Sequence, residues 1–167
     1  MLEFESYTQK LFSTCRNFPL EIVYVRDDDI PDYVASGSVD IGVLGQNLLN
    51  EERPANVKKL LNLRYGFCTL TLAVPKESTV QTLEDLSGKT IATTYPNSTK
   101  AFFKKNGVSV ETIKINGSVE IAPTLGVAQA IADLTSTGST LTLNDLRPLM
   151  KIYDSEAVLI ANAKSAS

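Results

Sequence analysis

Ala130-Ile131-Ala132-Asp133-Leu134-Thr135-Ser136-Thr137-Gly138-Ser139-Thr140-Leu141 carries an apolar run into an acid, then into a hydroxyl-rich turn around one glycine. The pattern predicts a strand over 128–134, a polar turn, and a helix over 143–146. In α/β proteins the carboxyl ends of strands are where ligands bind, so Asp133 stands at a favourable position. Backbone N–H groups at a helix start have no intrahelical acceptor, and the helix dipole adds positive potential. The hydroxyls of Thr135, Ser136, Thr137, Ser139 and Thr140 add donors, and Gly138 lets the backbone approach a ligand closely. Together these residues make a phosphate cradle. An ordinary capped turn draws on the same residue types, because Ser and Thr are common N-caps. No Gly-Lys-Ser or Gly-Lys-Thr follows, so this is not a Walker A loop. A carboxylate repels a phosphate, so Asp133 is better suited to accept hydrogen bonds from sugar hydroxyls.

Outward from this segment, strand patterns alternate with short helical ones. Strands are expected at 20–25, 39–45, 67–74, 90–95, 108–115, 128–134 and 152–160. Helices are expected from Asp29-Ile30-Pro31 to Gly37, over 82–88, after Pro96, and over 121–127. This order implies an α/β architecture. The apolar 39–45 segment suits a parallel sheet covered on both faces. The polar 75–87 stretch reads as the passage from one lobe to a second.

Composition bounds the chemistry. Lys plus Arg number 16 and Asp plus Glu 19, a net charge of −3, which gives no electrostatic case for nucleic acid. There is no histidine among the 167 residues, which excludes Ser-His-Asp and Cys-His nucleophile systems and histidine metal ligands. Cys15 and Cys68 are too few for a zinc ribbon or a disulfide framework. The first ten residues have neither a basic n-region nor an apolar h-region, and no apolar run approaches a membrane span. No membrane partner is expected, and the cytoplasm is the expected location.

Three further turns carry polar groups. Arg26-Asp27-Asp28-Asp29 can offer oxygen ligands to Mg2+, or Asp29 can cap the helix that follows. Tyr95-Pro96-Asn97-Ser98-Thr99 and Gly117-Ser118-Val119-Glu120 each follow a strand, and each can face a ligand or simply start a helix.

Glu120, Gly126, Ala128, Ile131, Asp133, Leu134, Thr137-Gly138 and Thr140-Leu141 resemble the signature of the ATP phosphoribosyltransferases in residue type and spacing. Val25 to Pro31, Ser36 to Gly42, Ile91 to Pro96 and Asn116 to Glu120 are similar to other segments of that family, and the resemblance runs from about residue 2 to 162. It implies two α/β lobes similar to type II periplasmic binding proteins, with the active site in the cleft between them. It further implies transfer of phosphoribosyl from phosphoribosyl pyrophosphate to N1 of ATP, with Mg2+ as cofactor. Carried over by residue, Thr135, Ser136, Thr137, Gly138, Ser139 and Thr140 hold the 5′-phosphate, and Glu120 and Asp133 face the ribose. Arg26, Asp40 and Tyr95 line the cleft. No catalytic side chain and no protein metal ligand are assigned. The resemblance also implies a homo-oligomer built from dimers.

On this reading residues 1–74 form the first lobe, incomplete because relatives begin with a strand, a Gly-Arg-Leu turn and a helix that find no match here. Residues 75–157 form the second lobe with the phosphate loop, and 158–167 start the return to the first. The segments at 26–31 and 152–156 look more like the long form of the family, whose regulatory domain binds histidine. The chain ends before such a domain, so no response to histidine is expected. The short form's regulatory subunit, similar to histidyl-tRNA synthetase, is the less favoured partner. Gln129 stands where many relatives carry Asp. The alternatives are a two-lobed protein that binds a small anion without catalysis, an inactive fragment, and a type I phosphoribosyltransferase, though the last usually has paired acids before its loop.

Overall fold

Residues 1–4, 11–136 and 138–164 are described by this computed structural model. β1 (Phe12–Thr14) and β2 (Glu21–Val23) form a small antiparallel pair. The three aspartates make a 3-10 turn, Asp27–Asp29, that runs into α1 (Ile30–Ser36), with Pro31 in its first turn. A missing N–H costs nothing at that position. β3 (Ile41–Gly45), α2 (Gln46–Glu52), β4 (Val57–Asn62) and β5 (Cys68–Pro75) follow. β6 (Thr90–Thr93), α3 (Pro96–Lys105), β7 (Glu111–Lys114) and β8 (Ala130–Thr135) come next. α4 (Ser139–Leu143), β9 (Leu146–Ser155) and β10 (Ala157–Asn162) complete the order.

Two larger sheets organise these elements. The first lobe holds the order β3-β10-β4, with β10 antiparallel to both neighbours. The parallel sheet expected for 39–45 is therefore not formed: β3 takes its partner from the far end of the chain. The second lobe holds the order β7-β6-β8-β5-β9. There β6 is parallel to β7 and β8, and β5 is antiparallel to β8 and β9.

The chain crosses between lobes twice, between β4 and β5 and again at Glu156. The first crossing lies before β5, not at Pro75, because β5 pairs with β8 and β9 and so belongs to the second sheet. The second ends the strand expected as one piece over 152–160. β9 closes at Ser155 opposite Cys68, and β10 opens at Ala157 opposite Gly45. Glu156 fixes this crossing, its carboxylate accepting Asn62 Nδ2 and the Arg64 N–H, each at 2.8 Å.

The second sheet is covered on both faces. Leu72, Val74, Ala130 and Ala132 face a core shared with Phe103 of α3 and with Val80, Leu83 and Leu86. The alternate residues Ala73 and Ile131 face a second core with Val119, Ala122 and Leu141. In the first lobe, Val34, Leu44, Leu48, Val158 and Ile160 pack together. Its other face is open: Ile41, Val43 and Leu61 are 46%, 45% and 58% exposed.

Gly42 sets how closely α1 lies on β3. A Cβ there would sit 2.6 Å from Ile30 Cγ2 and 3.0 Å from Val34 Cγ2. Gly42→Val overpacks this contact and is expected to destabilise the protein by about 1–3 kcal/mol, read as a lower denaturant midpoint with an unchanged slope.

Candidate functional site

The hydroxyl-rich turn departs from β8 next to β5. Register places Thr135 opposite Thr69 and Asp133 opposite Thr71. The Thr71 and Thr135 hydroxyls lie 2.8 Å apart, and Thr135 Oγ1 donates to the Thr69 carbonyl at 3.3 Å. Gly138 follows with φ 75° and ψ −1°, a left-handed conformation in which a side chain is strained. Helix α4 begins at once at Ser139, earlier than the 143–146 helix expected from the sequence. Gly138 turns the chain inward and Leu141 anchors the helix, whereas Leu143 is 83% exposed. The first helical bond runs from the Thr142 N–H to the Gly138 carbonyl at 3.3 Å. N–H groups earlier in the turn have no acceptor within the helix. Thr137 lies outside the described residues.

An open cavity of about 690 Å3 is lined by Thr69, Thr71, Thr135, Ser136, Gly138 and Ser139, among others. Four of the sequence-predicted loop residues thus share one concave surface with two threonines of β5. Those two are missed by sequence reading. Their signal is faint: in Cys68-Thr69-Leu70-Thr71-Leu72 the polar residues occupy one face of an otherwise apolar strand.

Alternation along β8 puts Asp133 on the same face as Ile131 and Thr135. The Asp133 carboxylate accepts its neighbour's N–H, from Leu134, at 2.8 Å. Burial pushes the Asp133 pKa above its usual 3.8, outweighing that hydrogen bond, and the Glu120 charge pushes the same way. The two carboxylates predicted to face a ribose are therefore electrostatic neighbours. Glu120 comes from the turn Val119–Ile121, which is entered through Gly117 and Ser118, both at positive φ. Tyr95 stands at the start of α3, its pKa pushed up to about 12, chiefly by burial. Its hydroxyl accepts Asn47 Nδ2 at 3.2 Å, and the Asp133 charge adds to its shift.

Arg26 is not drawn into this group. Its side chain is 83% exposed and lies 4.0 Å from the Asp28 carboxylate within its own turn. Asp40 sits in the bend before β3, where its carbonyl accepts the Asn162 N–H. Asp29 occupies the N-cap position of α1 without a side-chain capping bond. Among the described residues no group of three or more Asp, Glu, Cys or His is placed to hold a metal ion. Gln129 is used structurally, its Oε1 accepting the Thr90 N–H at 3.0 Å. Among the described residues no helix is long and apolar enough to cross a membrane.

The turn at Tyr95-Pro96 has a partner inside the protein. Its helix start is already filled: Glu51 of α2 accepts the N–H groups of Asn97 and Ser98, each at 2.8 Å.

This frame of two mixed α/β lobes is that of the type II periplasmic binding proteins. The alkanesulfonate-binding protein SsuA from Xanthomonas axonopodis superposes with TM-score 0.59 at 20% identity, covering 87% of this chain and 56% of that one. Arginine-bound ArgBP from Thermotoga maritima superposes with TM-score 0.58 at 18% identity. At such identities the likeness is one of fold alone. A model of the HisG family, ATP phosphoribosyltransferase, matches residues 26–167, and the chain belongs to that family. The ATP phosphoribosyltransferase of Methanosarcina barkeri is 43% identical over 158 residues, 95% of this chain and 54% of the relative. That of Maricaulis maris is 42% identical over 164 residues, 95% of this chain and 56% of the relative. The ATP phosphoribosyl transferase (HisG:HisZ) complex from Thermotoga maritima superposes with TM-score 0.81 at 29% identity, covering 97% of this chain and 77% of that one. The chain thus spans about half the length of these curated relatives.

Proposed function

We propose that this chain carries the phosphoribosyl pyrophosphate site of an ATP phosphoribosyltransferase, which joins C1 of the ribose to N1 of ATP and expels pyrophosphate in the first step of histidine biosynthesis. The observation that carries this reading is the open cavity that Thr135, Ser136, Gly138 and Ser139 line together with Thr69 and Thr71, in a chain of this family. The turn receives the 5′-phosphate through N–H and hydroxyl donors, which need no lysine. Asp133 and Glu120 accept hydrogen bonds from the ribose hydroxyls, and each such bond relieves the mutual repulsion of the two carboxylates. The bond from C1 to pyrophosphate breaks as the bond to N1 of ATP forms. No side-chain nucleophile is needed, which fits a chain without histidine. What the protein supplies is orientation and charge placement.

Mg2+ is commonly held by one or two carboxylates together with substrate phosphates, and Glu120 and Asp133 fit that donor pattern. When bound, it neutralises charge on the departing pyrophosphate. Arg26, Asp40 and Tyr95 are assigned to the cleft wall on family resemblance, and Tyr95 is the one whose position beside Asp133 supports the assignment. ATP is the second substrate, the cytoplasm the place of action, and a homo-oligomer built from dimers the expected assembly. A regulatory subunit like that named in the Thermotoga complex is the less favoured partner.

Calorimetric titration tests the reading. Phosphoribosyl pyrophosphate with Mg2+ is expected to bind the folded chain saturably. Absence of binding by a chain shown to be folded would leave the family fold without the activity. ATP is titrated next, and binding of both calls for a turnover assay.

A further inference from the structure

Glu51 is 4% exposed, yet it is a carboxylate on a helix of the first lobe. Its two oxygens each accept one backbone N–H of the second lobe, Asn97 on Oε1 and Ser98 on Oε2, both at 2.8 Å. Asn97 Nδ2 also donates to the Glu51 carbonyl at 3.2 Å. A buried carboxylate is tolerated only where its charge is met by donors, and two short amide bonds at a helix start meet it well. Around it the junction is polar and paired. The Asn47 N–H donates to Ser155 Oγ, the Ser155 hydroxyl donates to Asn47 Oδ1, and the Tyr153 hydroxyl donates to Ser98 Oγ. Tyr95, at the head of α3, packs against the first-lobe core.

We propose that Glu51 is an inter-lobe positioning residue: by capping α3 from α2 it fixes the angle between the lobes. It thereby sets how far the first-lobe wall stands from the cavity at 135–140. Two crossing strands alone form a flexible joint, because a hinge needs only a few residues to absorb a rotation. The carboxylate adds an off-axis tie beside those from Asn47 to Ser155 and Tyr95. This inference rests on the geometry of the junction and does not depend on which ligand the cavity takes.

Glu51→Gln is the sharpest test, because it keeps volume and shape. An amide offers one acceptor oxygen, so one of the two N–H groups then faces an NH2 donor. Spin labels are placed on Lys59→Cys of β4 and Lys114→Cys of β7, both exposed, with Cys68→Ser as background and Cys15 left buried. The expected result is a broadened or displaced inter-lobe distance distribution in Glu51→Gln. Amide exchange at Asn97 and Ser98 should also accelerate by about tenfold or more, as loss of a charge-assisted hydrogen bond implies. Faster exchange with an unchanged distance distribution would make Glu51 a mere helix cap and overturn the proposal. Unchanged exchange and distances would overturn it as well. Glu51→Asp, which keeps the charge and shortens the reach by one methylene, covers the case in which the Gln variant fails to fold. It too must alter the distance distribution.

Discussion

Gly138→Val is expected to weaken binding of phosphoribosyl pyrophosphate by more than about tenfold while leaving the fold intact. Gly138 has φ 75°, and a Cβ built there would meet no atom within 4 Å. The damage therefore comes from the backbone and not from a clash. A left-handed conformation costs an ordinary residue about 1–2 kcal/mol, and a β-branched residue tolerates it least. The chain escapes that cost by changing φ, and changing φ reshapes the turn whose residues Thr135, Ser136, Gly138 and Ser139 line the cavity. The strain falls on an exposed turn, so the melting temperature is expected to move little. Gly138→Ala should show the same effect in weaker form. Calorimetry on both variants, with circular dichroism as the check on folding, decides the matter. Equal affinity for parent and Val variants would remove this turn from the site.

Asp133→Asn is expected to separate binding from stability. Hydrogen bonds to a charged group contribute about 1.5–3 kcal/mol, so losing those made to the ribose should weaken binding by about ten- to a hundredfold. The same change should stabilise the unliganded protein near pH 7. Burial first, and the Glu120 charge second, raise the Asp133 pKa above its usual 3.8. A carboxyl with a raised folded-state pKa holds its proton more tightly in the folded chain. Its contribution to stability is full below the unfolded-state value and is lost as pH rises through the folded-state value. An Asn has no proton to lose, and its side-chain oxygen still accepts the Leu134 N–H. Melting temperatures of parent and variant should therefore diverge at neutral pH and converge toward pH 3.8. A variant less stable than the parent at pH 7 would contradict this account of Asp133.

The part of the fold that was legible in the sequence is the part governed by local rules. The acid followed by a hydroxyl-rich turn announced β8 and the loop, and Asp29-Ile30-Pro31 and Tyr95-Pro96 announced α1 and α3. Partner choice was not legible. Residues 39–45 have the apolar run of a parallel strand, yet β3 pairs antiparallel with β10, more than a hundred positions later. β4 carries Lys58 and Lys59 on a sheet-edge strand, so alternation gave no sign of it. β9 and β10 look like one strand because the break at Glu156 follows from where the lobes lie and not from a turn residue.

The candidate site divides in the same way. The loop residues follow one another in the chain, and four of them line one cavity. Thr69 and Thr71 reach the cavity only because β5 lies beside β8, and that adjacency is tertiary. Glu51, in Asn50-Glu51-Glu52-Arg53, looks like an ordinary solvated helix end. Its role appears only when the other lobe brings the start of α3 against it. Arg26 shows the converse, a residue singled out by its sequence context that lies exposed beside Asp28.

Amide-resolved nuclear magnetic resonance during titration with phosphoribosyl pyrophosphate and Mg2+ locates the bound ligand residue by residue. The largest shifts are expected at residues 135–141, with accompanying changes at Glu120 and Asp133. Shifts confined to the junction of α2 and α3, or spread evenly over the surface, would contradict this site assignment.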